Sequence, residues 1–398
     1  MKVNIIDAIM GAGKTTSAIN YIKEHGEEKN FIYITPYLTE VERIERECAF
    51  LQPIKYTEST PKIVDLKNLL LKERNIVTTH SMFQHFDDEI IRLCQAQGYV
   101  LFMDEVADVV EPYPITKKDL EVLLKEYVDV KEDNTMVWRG SMTEKFAQEK
   151  RLCELGCLAL YQGSALLWMF PVKVFEAFSE IYILTYMFDA QIQKYYYDYY
   201  GIEYEYLYIT PDYHFTEEPQ EYTSKYDYQS LVTIVQDVKL NRIGDTNYSL
   251  GKQWYKNNSG GALMQKLKNN IYNFCRNKLL PNGDKPSSSD ILWTTFSDFK
   301  NELAGKGYTK GFTAINLRAT NEYKDRSVVA YPVNRFMNPV IKNFFTLKDI
   351  TVQEDRYALS EMLQFIWRSA IREGKGITVY IPSLRMRTLL INWMEAVK

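Results

Sequence analysis

No run of this chain approaches the roughly 18 consecutive apolar residues that a membrane-spanning helix needs. Its first residues, MKVNIIDAIMGAGK, turn Gly-rich and basic before a secretory signal core forms. Both absences predict a soluble protein that stays in the cytoplasm, with no membrane partner. Cysteine is sparse: Cys48, Cys94, Cys153, Cys157 and Cys275 are odd in number and scattered, which excludes a disulfide framework. The chain also has no excess of positive charge. Its 48 Lys+Arg stand against 52 Asp+Glu, a net charge of -4, so any contact with nucleic acid runs through a local groove. No short repeat is visible. What remains is an ordinary globular composition, 46% hydrophobic and 25% charged, over 398 residues. At about 150 residues per domain, that length predicts two or three domains.

Near-continuous apolar runs, the mark of parallel strands buried on both faces, occur at Val3 to Asp7, Phe31 to Pro36, Asn75 to His80, Tyr99 to Glu105 and Ile181 to Tyr186. Helical patterns such as Thr15 to Lys23 and Leu38 to Cys48 lie between them. The alternation recurs at Ile291 to Phe296, Phe312 to Asn316, Ser327 to Val333 and Ile377 to Pro382, with helices expected over Ser297 to Gly305, Tyr357 to Arg372 and Leu384 to Ala396. The expected fold is therefore α/β, with two parallel-sheet lobes at 1–205 and 206–398. Two stretches break the alternation and are expected as insertions or connections, about 111–180 and about 211–290.

Between the first strand and the first helix stands Gly11-Ala12-Gly13-Lys14-Thr15-Thr16. Glycines let successive backbone N–H groups curl round a phosphate at a helix N-terminus. Lys14 is expected to reach the β- and γ-phosphates, and the Thr15 hydroxyl to ligate Mg²⁺. The full phosphate-loop pattern would begin with glycine where this chain has Ala8, the smallest replacement. A second half-site is expected at Asp104 and Glu105, which end an apolar strand. Asp104 would hold Mg²⁺ through water, and Glu105 would orient the attacking water, since phosphoryl transfer needs positioning and charge. Together these predict an NTPase with ATP and Mg²⁺ as cofactors.

In its order of motifs, the chain resembles the superfamily 2 helicases and translocases, particularly the compact versions carried by phages. GAGKTT resembles motif I, ITPYLTEVERI from Ile34 motif Ia, TTHSMF from Thr78 motif Ib, and DEVA from Asp104 motif II. ILTYMF from Ile183 stands at the place of motif III, with Thr185 in place of its hydroxyls. ILWTTF, NLRATNEYKD from Asn316, and QFIWRSAIR from Gln364 resemble motifs IV, V and VI. The resemblance implies two RecA-like lobes with an ATP cleft between them. It also implies an arginine from motif VI acting on the γ-phosphate. Gln364, Arg368 and Arg372 at i, i+4 and i+8 are expected on one helix face, where the bland alternative is a row of solvated charges. The family places its last arginine at i+7, which is Ile371 here, so Arg368 is the firmer finger. Motifs II and III are separated by far more than the usual few tens of residues, and the insertion at 111–180 fills that gap. Too few residues precede Gly11 for the glutamine motif by which DEAD-box proteins select adenine.

The same resemblance nominates Thr35, Pro36, Tyr37, Thr79, His80, Ser81 and Thr320 as nucleic-acid contacts. The expected partner is single- or double-stranded DNA, with RNA left open, together with replication or recombination proteins of a phage or mobile element. Gln193 to Ile209 is dense in tyrosine and reads either as a packed helix and strand or as a base-stacking surface. Cys153 and Cys157 lack partners for a metal site, and no structural metal is expected. Two rival functions remain open: a DNA-packaging, terminase-like ATPase, and a regulatory or kinase-type P-loop protein that never meets nucleic acid.

Overall fold

The computed structural model describes residues 1–141, 145–220, 226–277, 283–315 and 321–397. They form two compact units. The first comprises Met1–Ala8, Gly13–Gln220 and Met337–Gln353; the second comprises Ile9–Ala12, Glu221–Phe336 and Glu354–Lys398. Where the sequence suggested one cut at 205/206, the first unit instead runs to Gln220 and takes back a segment from late in the chain.

The first unit is built on a six-stranded sheet. In chain order its elements begin with strand β1 (Lys2–Asp7), helix α1 (Lys14–His25), strand β2 (Phe31–Thr35), helix α2 (Leu38–Cys48), strand β3 (Ile76–Thr79) and strand β4 (Val100–Asp104). Strands Glu180–Thr185 and Glu205–Tyr206 complete the sheet. Across it the order is Glu205–Tyr206, β1, Glu180–Thr185, β4, β2, β3, and every pairing is parallel. β2 and β4 are buried along their whole length, as near-continuous apolar runs require. The edge strand is only two residues long and polar, which blunts an otherwise open edge.

On one face, Ala18, Ile19 and Ile22 of α1 and Val41 and Ile44 of α2 pack on Ile6, Phe31, Tyr33, Phe102 and Tyr182. Aromatic rings run across this core from strand to strand. Tyr33 stacks on Phe102 at 6.2 Å between centroids, Phe102 on Tyr182 at 4.6 Å, and Tyr182 on Phe215 at 5.7 Å. Phe215 belongs to a short hairpin in which Tyr208–Ile209 pairs antiparallel with Phe215–Thr216.

The insertion has a core of its own. Strands Val110–Tyr113, Ala165–Met169 and Leu158–Tyr161 form an antiparallel sheet, and Val128–Val130 pairs with Met136–Trp138. Leu120, Leu123, Met136, Phe146, Cys153, Leu158 and Leu166 fill its interior. Cys153 and Cys157 are buried free thiols.

The second unit holds a four-stranded parallel sheet in the order Val232–Ile234, Ile377–Tyr380, Val328–Ala330, Ile291–Trp293. The fold class expected from sequence, α/β with two parallel sheets flanked by helices, is what forms. Three local expectations are corrected. Val232–Ile234 is an edge strand of this sheet, inside the stretch read as an insertion. Phe312 to Asn316 forms no strand within its described part: only an isolated bridge joins Phe312 to Trp293, and the carbonyls of Ala314 and Ile315 are taken by the Arg368 guanidinium. The helix expected over Tyr357 to Arg372 spans Glu354–Ile366. Its last turn tightens as Arg368 N–H donates to Phe365 O and Ser369 N–H to Ile366 O, and Ser369 then adopts an extended backbone. Among the described residues, no helix is long and apolar enough to cross a membrane.

Candidate phosphate site at the strand ends

The carboxyl ends of parallel strands are where α/β folds gather chemistry, because loops leave the sheet there and helix N-termini point back toward it. β1 leads into the glycine loop, and Gly13 caps α1 with left-handed backbone at φ 93°. Gly11, at φ 85°, has open space around it. Lys14 opens the helix and is half-buried, with its Nζ donating to Ala8 O at 2.5 Å. Burial pushes its ammonium pKa down, while Glu105, Asp104 and Asp7 pull it back up. Thr15 and Thr16 follow in the first turn, both half-buried.

β4 ends at Asp104, 8% exposed. Its Oδ2 accepts from Thr35 Oγ1 at 3.1 Å, and His80 Nε2 lies 2.8 Å from its backbone oxygen. Burial pushes the Asp104 carboxyl up to about 7, and neighbouring Glu105 and Glu40 add to the rise; the Thr35 bond and Lys14 oppose it. Glu105 takes a left-handed backbone at φ 63°, steadied where its N–H donates to Leu184 O at 2.9 Å. Carboxylates therefore outnumber the lysine around Asp104. Oxygen donors with surplus negative charge fit a hard divalent cation, and Thr15 and Asp104 are the residues that would hold Mg²⁺ beside a phosphate chain.

Of the expected strand contacts, Pro36 and Tyr37 are half-buried and Ser81 is exposed. Thr79 is half-buried, its hydroxyl accepting from Met82 N–H at 3.4 Å. His80 is 7% exposed. Thr35 is fully buried and its hydroxyl is spent on Asp104, which closes it to the phosphate contact expected of it. Thr320 lies outside the described residues. In the second unit, Gln364 sits in the last turn of its helix and Arg368 just beyond it, 5% exposed; Arg372 is exposed in the following 3-10 turn. The three do not share a helix face, because the helix ends at Ile366.

Residues 226–394 match the YonV C-terminal Rossmann-like domain, and residues 110–168 match the YonV middle domain. The second match falls within the insertion. Over 412 aligned residues the chain is 40% identical to the SPbeta prophage-derived uncharacterized protein YonV of Bacillus subtilis strain 168, covering 99% of each. The chain belongs to the YonV family. Solved structures similar to it include an XPD helicase, at 12% identity and TM-score 0.48 over 98% of this chain and 94% of that one. Others are Xpd4 of S. tokodaii, at 11% and 0.48 over 98% and 94%, and the NS3-like helicase from Alongshan virus, at 11% and 0.33 over 96% and 73%.

Two side chains of this YonV-family site escaped the sequence reading. Asp7 ends β1, and its carboxylate accepts from Met187 N–H at 2.7 Å and Phe188 N–H at 2.9 Å. It thereby clasps the turn after strand Glu180–Thr185, where Met187 is left-handed at φ 58°. An aspartate closing an apolar strand just before a glycine loop was the visible signal. Gln193 is fully buried; its Oε1 accepts from Ala107 N–H at 2.8 Å, and its Nε2 donates to Tyr197 Oη at 2.9 Å. Helix Ile192–Tyr200, in which Tyr195, Tyr196 and Tyr197 are fully buried, thus braces the turn after Asp104 and Glu105. Those three rings are closed to bases.

Proposed function

We propose that this protein is an ATP-dependent motor on nucleic acid, a helicase or translocase serving DNA replication, recombination or repair of a phage or mobile element. The observation that carries the reading is the gathering of Lys14, Asp104 and Glu105 at the ends of parallel strands, with Asp104 held by Thr35 from the neighbouring strand. A positive charge at a helix N-terminus beside a buried aspartate and a half-buried glutamate is suited to phosphoryl transfer, where charge and positioning supply most of the rate. Bound Mg²⁺ would neutralise phosphate charge. Lys14 binds and orients the phosphate chain, and Glu105 orients the water that attacks it. The order of the helicase-like motifs along the chain extends the reading from hydrolysis to movement on a strand. The prophage origin of the 40%-identical relative supports the phage setting, in the host cytoplasm.

The test is the ATPase rate with and without single-stranded DNA, double-stranded DNA and RNA across a salt series. Stimulation by a strand is expected, and binding should weaken steeply with salt as phosphate contacts release counterions. A flat salt response with no stimulation by any strand would favour a regulatory P-loop protein.

A further inference from the structure

We propose that Tyr213 is the platform on which the base of the nucleotide stacks, an inference that rests on the phosphate-loop reading above. Tyr213 stands at the tip of the hairpin that follows the edge strand next to β1. Its ring edge, at Cδ1 and Cε1, packs so closely on Gly13 that a methyl group added to that glycine would collide with it. The residue before Lys14 is thus glycine for two reasons: a left-handed backbone and an aromatic ring against its Cα. The residue is 45% exposed, so it covers the glycine and still offers surface to solvent beside the loop.

The backbone holding it is strained and fixed. Tyr213 has φ 64°, a conformation that costs a residue with a side chain and persists only where its surroundings enforce it. Here Tyr213 N–H donates to Thr210 O at 2.9 Å, and His214 N–H to Thr210 Oγ1 at 3.0 Å. From α1, Asn20 Nδ2 donates to Tyr213 O at 3.2 Å. Two residues on, Phe215 packs on Tyr182 and lies 6.0 Å from Tyr21, anchoring the hairpin in the aromatic core. The tip is therefore rigid, tied both to the helix whose N-terminus would receive phosphates and to the strands beneath. A rigid, half-exposed aromatic ring within a few ångströms of a phosphate loop suits a flat apolar group attached to that phosphate through a sugar. Stacking tolerates any base and favours the larger purine face.

Binding of Mg·ATP, Mg·UTP and Mg·tripolyphosphate to the full chain, its Tyr213→Ala variant and its Tyr213→Phe variant tests this. Tyr213→Ala should weaken ATP about tenfold, weaken UTP less, and leave tripolyphosphate at the parental affinity. Tyr213→Phe should restore ATP. In Tyr213→Trp, the emission gained over the parental tryptophans should be quenched by ATP and not by tripolyphosphate. Parental ATP affinity in Tyr213→Ala overturns the platform, as does an equal loss for ATP and tripolyphosphate, which would make the tyrosine a support for the loop. Tighter binding of both would make it a plug. If the parent binds neither ligand, the phosphate-loop reading itself has failed.

Discussion

Glu105→Gln is expected to bind Mg·ATP like the parent and to hydrolyse it about 10²- to 10⁴-fold more slowly, the span typical of losing a group that handles the reacting water. The substitution is nearly isosteric, and the left-handed backbone at Glu105 is set by its own N–H bond to Leu184, which glutamine keeps. Lys14→Ala should instead lose both binding and turnover. Lys14 is the positive charge that holds the Asp104 carboxyl down against its burial and against Glu105 and Glu40. Without it Asp104 titrates higher, so a larger neutral fraction at pH 7 weakens any cation site it contributes to. Equilibrium nucleotide binding and single-turnover hydrolysis separate the two variants. Hydrolysis by Glu105→Gln at the parental rate would show that this acidic pair has been misassigned.

These residues were legible because each lies within a contiguous pattern: a glycine loop between an apolar strand and a helix, and an acidic pair closing another strand. Helices Leu38–Cys48 and Leu384–Ala396 form with the expected limits for a similar reason, since their pattern is local. What the sequence hid depends on distant partners. Thr35 is nominated by the sequence as a nucleic-acid contact, but the sheet order sets β2 beside β4 and its hydroxyl donates to Asp104 instead. Asp7 and Gln193 act through backbone amides far along the chain, at Met187, Phe188 and Ala107, and no spacing encodes that. Val232–Ile234 is too short for a clear run, and its place in the sheet comes from pairing with Ile377–Tyr380. Tyr213 carried no signal among 30 tyrosines until the hairpin set it against Gly13.

Arg368→Ala is expected to cost stability, and turnover measured beside it tests the finger role that the helicase resemblance implies. In the second unit its guanidinium donates to Ala314 O at 2.8 Å and to Ile315 O at 2.9 Å, and the side chain is almost wholly buried. Orphaning the buried Ile315 carbonyl costs about 1–3 kcal/mol before relaxation and the half-buried Ala314 carbonyl less, so a loss of about 2–4 kcal/mol in unfolding free energy is expected. A finger role adds a separate loss of about 10³-fold in hydrolysis with nucleotide binding kept, since such an arginine acts on transition-state charge. Arg368→Lys separates the roles: it retains a cation but cannot reproduce two fixed donors, so it should recover less stability than turnover if charge is what hydrolysis needs. Arg372 is exposed, and Arg372→Ala should stay within about 0.5 kcal/mol of the parent. Denaturant unfolding measured beside single-turnover hydrolysis decides among these. Lost stability with parental turnover would make Arg368 a brace for the backbone that leads toward Asn316, and the finger would have to be sought elsewhere. A comparable turnover loss in Arg372→Ala would move the finger there, despite its distance from the family spacing.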